Sequence, residues 1–172
     1  MKRSPILALL PLLAITATPA PAQAGDGCTY QLGQSSTGVA TELNLCSIRR
    51  IHKTFNVDFT YTLGGESIPA RANCRSNNWV TFPENTTHTP KSKATDDMLK
   101  ILCTAPVDGN GDSVLAVIFN PPTNIRKTPN GKVICQITDL RVISISGGPS
   151  NGWYRTGLCG YDYIHKSQLR FN

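Results

Sequence analysis

Six cysteines, at positions 28, 46, 74, 103, 135 and 159, narrow the choices of this 172-residue chain more than any other feature. None stands in a Cys-x-x-Cys pair, and His52, His88 and His165 are scattered, so the set lacks zinc-ligand spacing and reads as up to three disulfides. Such bridges persist in oxidising compartments. The start of the chain agrees. Met1-Lys2-Arg3 is positive, residues 6–15 are a short apolar run, and Ala22-Gln23-Ala24 offers small residues at the positions a signal peptidase reads. Residues 1–24 are expected to be a signal peptide cleaved before Gly25. The apolar run is about half the roughly twenty residues of a membrane helix, and no other stretch could span a bilayer.

At 40% hydrophobic and 16% charged, the chain can build a core of one domain or two small ones. The clearest local signal is a hairpin at Gly64-Gly65. Residues Val57, Phe59, Tyr61 and Leu63 alternate with polar ones before it, and Ile68, Ala70 and Ala72 do so after it. Leu63 facing Glu66 then pairs Tyr61 with Ile68, Phe59 with Ala70 and Val57 with Ala72. Pro69 lacks a ladder donor, which predicts an edge strand or a bulge there. Residues 40–48 and 79–82 read as further strands, and residues 83–90 as a loop. One helix follows, capped by Ser92, with Asp96 and Asp97 at its positive end and Ala94, Met98, Ile101 and Leu102 on one face. It should lie on a sheet face and end at Cys103. Pairing Cys74 with Cys103 would tie it to the hairpin, leaving Cys28 for Cys46, although sequence alone leaves the connectivity open.

Residues 108–112, Asp-Gly-Asn-Gly-Asp, read as a turn. A calcium loop starting at Asp108 would need a Gly where Ser113 stands and an acid where Phe119 stands. Residues 114–119 are a short strand within a connecting segment, 105–122. After Pro122 the texture becomes many short strands (132–137, 140–146, 153–156, 163–165 and 169–171) broken at 129–131, 147–152 and 160–162, the pattern of a small barrel or sandwich. Cys135 and Cys159 are the only cysteines here, so a bridge between them is the economical expectation.

Residues 123–171 carry, in order, Thr123-Asn124-Ile125-Arg126 with Pro129-Asn130-Gly131, then Val133-Ile134-Cys135-Gln136-Ile137, Val142-Ile143-Ser144-Ile145, Asn151-Gly152-Trp153-Tyr154-Arg155 and Tyr163 to Leu169. This ordered set resembles the bacterial Src-homology-3 domain. It departs from that family in a shortened loop after Arg126 and in Asp162-Tyr163 where Gly-Trp is usual. Residues 36–103 faintly resemble the surface-adhesin E type β-domain, through Leu43 to Arg50, the strand 57–63, and Ala72-Asn73-Cys74 followed by Trp79. The expected architecture is mainly β with one short helix: a β-rich domain over 25–104, a linker or connecting strand over 105–122, and a half-open barrel of Src-homology-3 type over 123–172.

Every cysteine has a disulfide partner to hand, so no catalytic residue is assigned and no enzyme, cofactor or metal is expected. The resemblance implies a module that docks a cell-wall peptide or a protein segment. Trp153, Tyr154, Tyr161 and Tyr163 would supply flat contact area, and Arg126 and Arg155 would fork onto carboxylates. Residues 120–172 hold 7 basic and 2 acidic side chains, a charge of +5 that suits anionic partners. The basic residues are not interleaved with aromatics along one strand face, so nucleic acid is not expected. The alternative is a soluble periplasmic inhibitor or assembly factor for one partner protein, with the barrel as scaffold.

Overall fold

The computed structural model describes residues 28–106, 114–160 and 162–171, with the backbone alone of 147–149. The expected signal peptide, the turn at 108–112 and Tyr161 lie outside the described residues. Six strands come first: β1 (Thr29–Gln34), β2 (Ala40–Arg50), β3 (Asn56–Leu63), β4 (Glu66–Asn73), β5 (Asn78–Thr81) and β6 (Thr86–His88). Helix α1 (Lys93–Thr104) follows, then β7 (Val114–Ile118), β8 (Thr123–Arg126), β9 (Val133–Ile137), β10 (Arg141–Ser150), β11 (Trp153–Thr156), β12 (Asp162–His165) and β13 (Leu169–Phe171). The protein is mainly β with one short helix, arranged as two antiparallel sheets.

The first sheet is a meander in chain order, β1 to β6. Gly64 and Gly65 have φ of 60° and 90°, the left-handed values that a tight two-residue turn requires. That turn sets the β3–β4 register expected from the sequence, Leu63 against Glu66 through Val57 against Ala72. Pro69 corrects an expectation. Strand β4 is neither an edge nor bulged, since β3 flanks it without a register shift and β5 lies on its other side. The Pro69 carbonyl accepts from the Phe82 N–H at 2.9 Å, so the side lacking a donor faces β5 just past the last β4–β5 pair, Ala70 with Thr81. Only the frayed end of one ladder loses a bond there. The segment 83–90 likewise is not all loop, because β6 within it pairs with β5.

Strand β2 carries extra residues against β3, with pairing moving from Asn44–Thr60 to Arg49–Asp58. Two side chains take over the missing ladder: the Ser47 hydroxyl accepts from the Thr60 N–H at 2.7 Å, and Asn44 Oδ1 accepts from the Cys46 N–H at 3.0 Å. The bulge lets Leu45 and Ile48 both turn into the core. A disulfide joins Cys46 to Cys28 beside it.

Helix α1 starts at a capping box, where Ser92 Oγ accepts from the Thr95 N–H and Thr95 Oγ1 accepts from the Ser92 N–H. Its buried face, Ala94, Met98, Leu99, Ile101 and Leu102, packs on Leu43, Val57, Phe59 and Ala72 of the first sheet. The same core cluster also takes in Val117 of β7 and Val142 of β10. Helix α1 therefore lies between the two sheets and serves both, and the Val142 N–H donates to Thr104 Oγ1 at its last turn. The helix runs one residue past Cys103, which is bridged to Cys74. Arg50 donates to the Cys103 carbonyl at 2.9 Å, placing a cation at the negative end of the helix.

The second sheet has the order β13-β7-β10-β11-β12-β8-β9. Strand β7, read from sequence as part of a connection, is inserted between β13 and β10, and β10 extends through Ser150 rather than breaking at 147. The turn is Asn151-Gly152 alone, at φ of 51° and 82°. Strands β13 and β9 end the sheet on opposite sides, and no pairing closes it into a barrel. Its own core is Ala116, Ile118, Ile125, Ile137, Ile143, Ile145, Ile164 and Leu169. The third disulfide, Cys135–Cys159, ties β9 to the turn after β11.

Candidate functional site

Alternation along the short strands of the second sheet sorts the expected contact residues between its two faces. Ile125, Ile164 and Thr156 are buried on the core side, so Arg126, Tyr163 and Arg155 stand on the other. Register then places these three side by side, Arg155 opposite Tyr163 across β11–β12 and Tyr163 opposite Arg126 across β12–β8. The Arg155 guanidinium lies over the Tyr163 ring, 5.7 Å from its centroid. Arg155 is exposed, while Tyr163 and Arg126 are half-buried. Exposed Ser146 of β10 continues the row on the far side of Arg155.

Arg126 is held by its hairpin, donating from Nη1 to the Gly131 carbonyl at 2.7 Å. That leaves other donors of its five-donor fork for a ligand. The two acids of this region are occupied elsewhere: Asp162 is buried and lies 3.5 Å from Lys127, and Asp139 bridges Arg141 at 2.6 Å. Among the described residues, Arg126, Arg155 and Lys166 form no ion pair. Two guanidinium groups flanking one phenol ring, with no carboxylate opposing them, make a surface that favours planar anions.

The other aromatics are placed differently. Trp153 shares the face of Arg155 but is only 8% exposed, meets His165 edge-on at 5.0 Å, and belongs to neither core cluster. Tyr154 points to the core side and packs on Phe171 with ring centroids 4.9 Å apart. Tyr161 lies outside the described residues. The row thus brings together Tyr163, Arg126 and Arg155, with Trp153 as a buried support and Tyr154 apart.

The sequence places His165 just before a short turn toward the last strand, where a structural role is the expectation. Its Nδ1 accepts from the Ser167 N–H at 3.3 Å and lies 2.8 Å from the Ser167 hydroxyl, and its ring braces Trp153. A Cβ on Gly152 would come within 3.1 Å of His165 Nε2. That glycine therefore serves both the positive φ of the turn and the close approach of the ring. Spacing along the chain gave no hint of this, because Trp153 and His165 meet only through β11–β12 pairing.

Among the described residues no group of three His, Cys, Asp or Glu side chains is placed to hold a metal ion, and no helix is long and apolar enough to cross a membrane. All six cysteines are in disulfides, in the pairs expected from the sequence, which suits an oxidising, exported location. Comparison with family models, curated proteins and solved structures returns no match to this chain.

Proposed function

We propose that this chain is an exported, non-catalytic binding protein whose second sheet, a relative of the bacterial Src-homology-3 domain, docks a cell-wall peptide or a protein segment through its carboxylates. The observation that carries the reading is the Arg126–Tyr163–Arg155 row, two cations without acidic partners on adjacent strands around an aromatic ring. Rigid strands fix the spacing of the two forks, and the phenol ring between them offers apolar contact to the ligand body. A peptide stem or chain terminus carrying a free carboxylate fits this surface chemically.

The test is retention of the signal-free protein on purified peptidoglycan at low and moderate salt, compared with Arg155→Ala. Exposed charges are screened over about 10 Å at 0.1 M salt, so retention should fall as salt rises and fall further in the variant. Arg155 is the cleaner probe than Trp153, because truncating a buried Trp also opens a cavity. Retention at neither salt would sink the wall reading and redirect the search to a single partner protein in the intact envelope.

A further inference from the structure

At the end of the first sheet where α1 closes stands the most exposed large apolar side chain among the described residues, Phe55, at 58%. It belongs to the connection between β2 and β3, in which His52, Lys53, Thr54 and Phe55 are all exposed. The turn between β4 and β5 lies beside it and exposes Arg75, Ser76 and Asn77. Arg75 reaches across, its guanidinium 5.8 Å from the centroid of the Phe55 ring.

These connections are braced. The Ile51 N–H donates to the Asn56 carbonyl at 3.0 Å and the Thr54 N–H to the Ile51 carbonyl at 3.1 Å. The Cys74 N–H donates to the Phe55 carbonyl at 2.8 Å, which fastens one connection to the other. The Cys74–Cys103 bridge and the Arg50 contact to the Cys103 carbonyl anchor both to the helix. The fold thus holds a phenyl ring out in water on a fixed support, although exposed apolar area is unfavourable.

Charge at this end has one sign. Residues 43–57 and 67–83 hold five Lys or Arg and no Asp or Glu. Asp58, next along β3, is taken by Arg71 through two hydrogen bonds of 2.6 and 3.0 Å. Arg50 is committed to the helix end, whereas Arg49, Lys53 and Arg75 are exposed and form no ion pair among the described residues. A run of exposed residues around one ring gives a protein partner no pocket to fill, and interface hot spots sit in such pockets. A fluid layer of headgroups needs none. Apolar rings settle at its boundary, and each cation near an anionic surface adds to the attraction.

We propose that this end of the first sheet docks on a bilayer of anionic phospholipid, the Phe55 ring entering the headgroup boundary while Arg49, Lys53 and Arg75 meet phosphates. The surface belongs to the other sheet from the arginine row and stands whether or not that row binds the cell wall.

The test is flotation of the signal-free, disulfide-intact protein with vesicles of equal parts phosphatidylglycerol and phosphatidylcholine, against vesicles of phosphatidylcholine alone. At low salt the protein should float with the first and not with the second. Lys53→Gln and Arg75→Gln should each weaken partitioning about fivefold, the share of one basic side chain at an anionic surface. Phe55→Ser should weaken it about tenfold through lost apolar burial. All three side chains are exposed, so the variants should fold, and Arg155→Ala should partition as the wild type does. Phe55→Trp adds a reporter to two buried tryptophans, and its emission should shift to the blue on phosphatidylglycerol. No flotation with phosphatidylglycerol, partitioning unchanged in Phe55→Ser, or a loss in Arg155→Ala equal to that in Arg75→Gln each overturns the proposal. Binding to soluble poly-L-glutamate in place of vesicles also overturns it and assigns this end to an acidic protein segment.

Discussion

The two sheets are of similar size and are built by opposite rules. In the first, each strand pairs with its neighbour in sequence, and a helix that follows at once covers the inner face. In the second, β7 waits for partners far along the chain, Ile118 pairing with both Arg141 and Leu169, and the strand order is scrambled relative to sequence. The difference teaches where buried bulk and exposed charge are separated here. Most large buried side chains gather around α1, whereas the outer face of the second sheet presents its cations in register. Yet the sheets are not independent, because Val117 and Val142 belong to the core that α1 organises.

The sharpest way to break this comparison is Met98→Ala. Met98 is fully buried in the shared core, and such a truncation costs about 2–5 kcal/mol. With Trp79 in one sheet and Trp153 in the other, urea unfolding followed by each tryptophan should give one transition shifted equally. Two transitions, with only the Trp79 one moved, would mean that the sheets fold separately.

Next come the bridges, each worth about 3 kcal/mol on loop entropy. Cys74→Ser with Cys103→Ser loosens the helix that both sheets use, so amide exchange should accelerate across the whole molecule. Cys135→Ser with Cys159→Ser should accelerate exchange mainly in β8 and β9. Equal patterns would erase the asymmetry.

A smaller effect separates the sheets by pH. Burial is the main force raising the hydroxyls of Tyr30 and Tyr61 above 10.0; Asp97 and Glu66 respectively add to it, and Arg170 and Trp79 oppose it. Both therefore hold their protons longer in the folded state. The stability they support is complete below the unfolded value of about 10 and is lost as pH rises above it. Tyr61→Phe should flatten that alkaline decline, which denaturant titrations between pH 9 and 11 would read. The smallest expected effect is Arg155→Ala, exposed on the outer face, which should change stability by no more than about 0.5 kcal/mol while weakening retention on the wall.

What the sequence made legible follows the same division. The β3–β4 register could be read because two glycines close the turn and every apolar residue has its partner within twenty positions. The helix was legible from Ser92 and its apolar spacing, but its second face was not, since the valines it meets come from strands beyond the next turn. Pro69 misled because its cost depends on where β5 stops, a fact of the neighbour and not of the residue. In the site, strand alternation puts only one of Trp153 and Tyr154 on the core side. It could not show that Trp153, on the other side, is covered all the same, since His165 reaches it only through cross-strand pairing. The arginine row was legible as residues and not as a row, because one single pairing, Tyr163 with Arg126, joins β12 to β8.

The bridges join the first cysteine to the second, the third to the fourth and the fifth to the sixth. A chain that enters an oxidising space amino end first meets its correct thiol partner each time as the next one to arrive. An oxidase working on order of appearance alone therefore produces the native set, with no wrong pair to be reshuffled. Secretion yield should then be indifferent to loss of a disulfide isomerase and sensitive to loss of the oxidase, which pulse-labelling in strains lacking either enzyme would read.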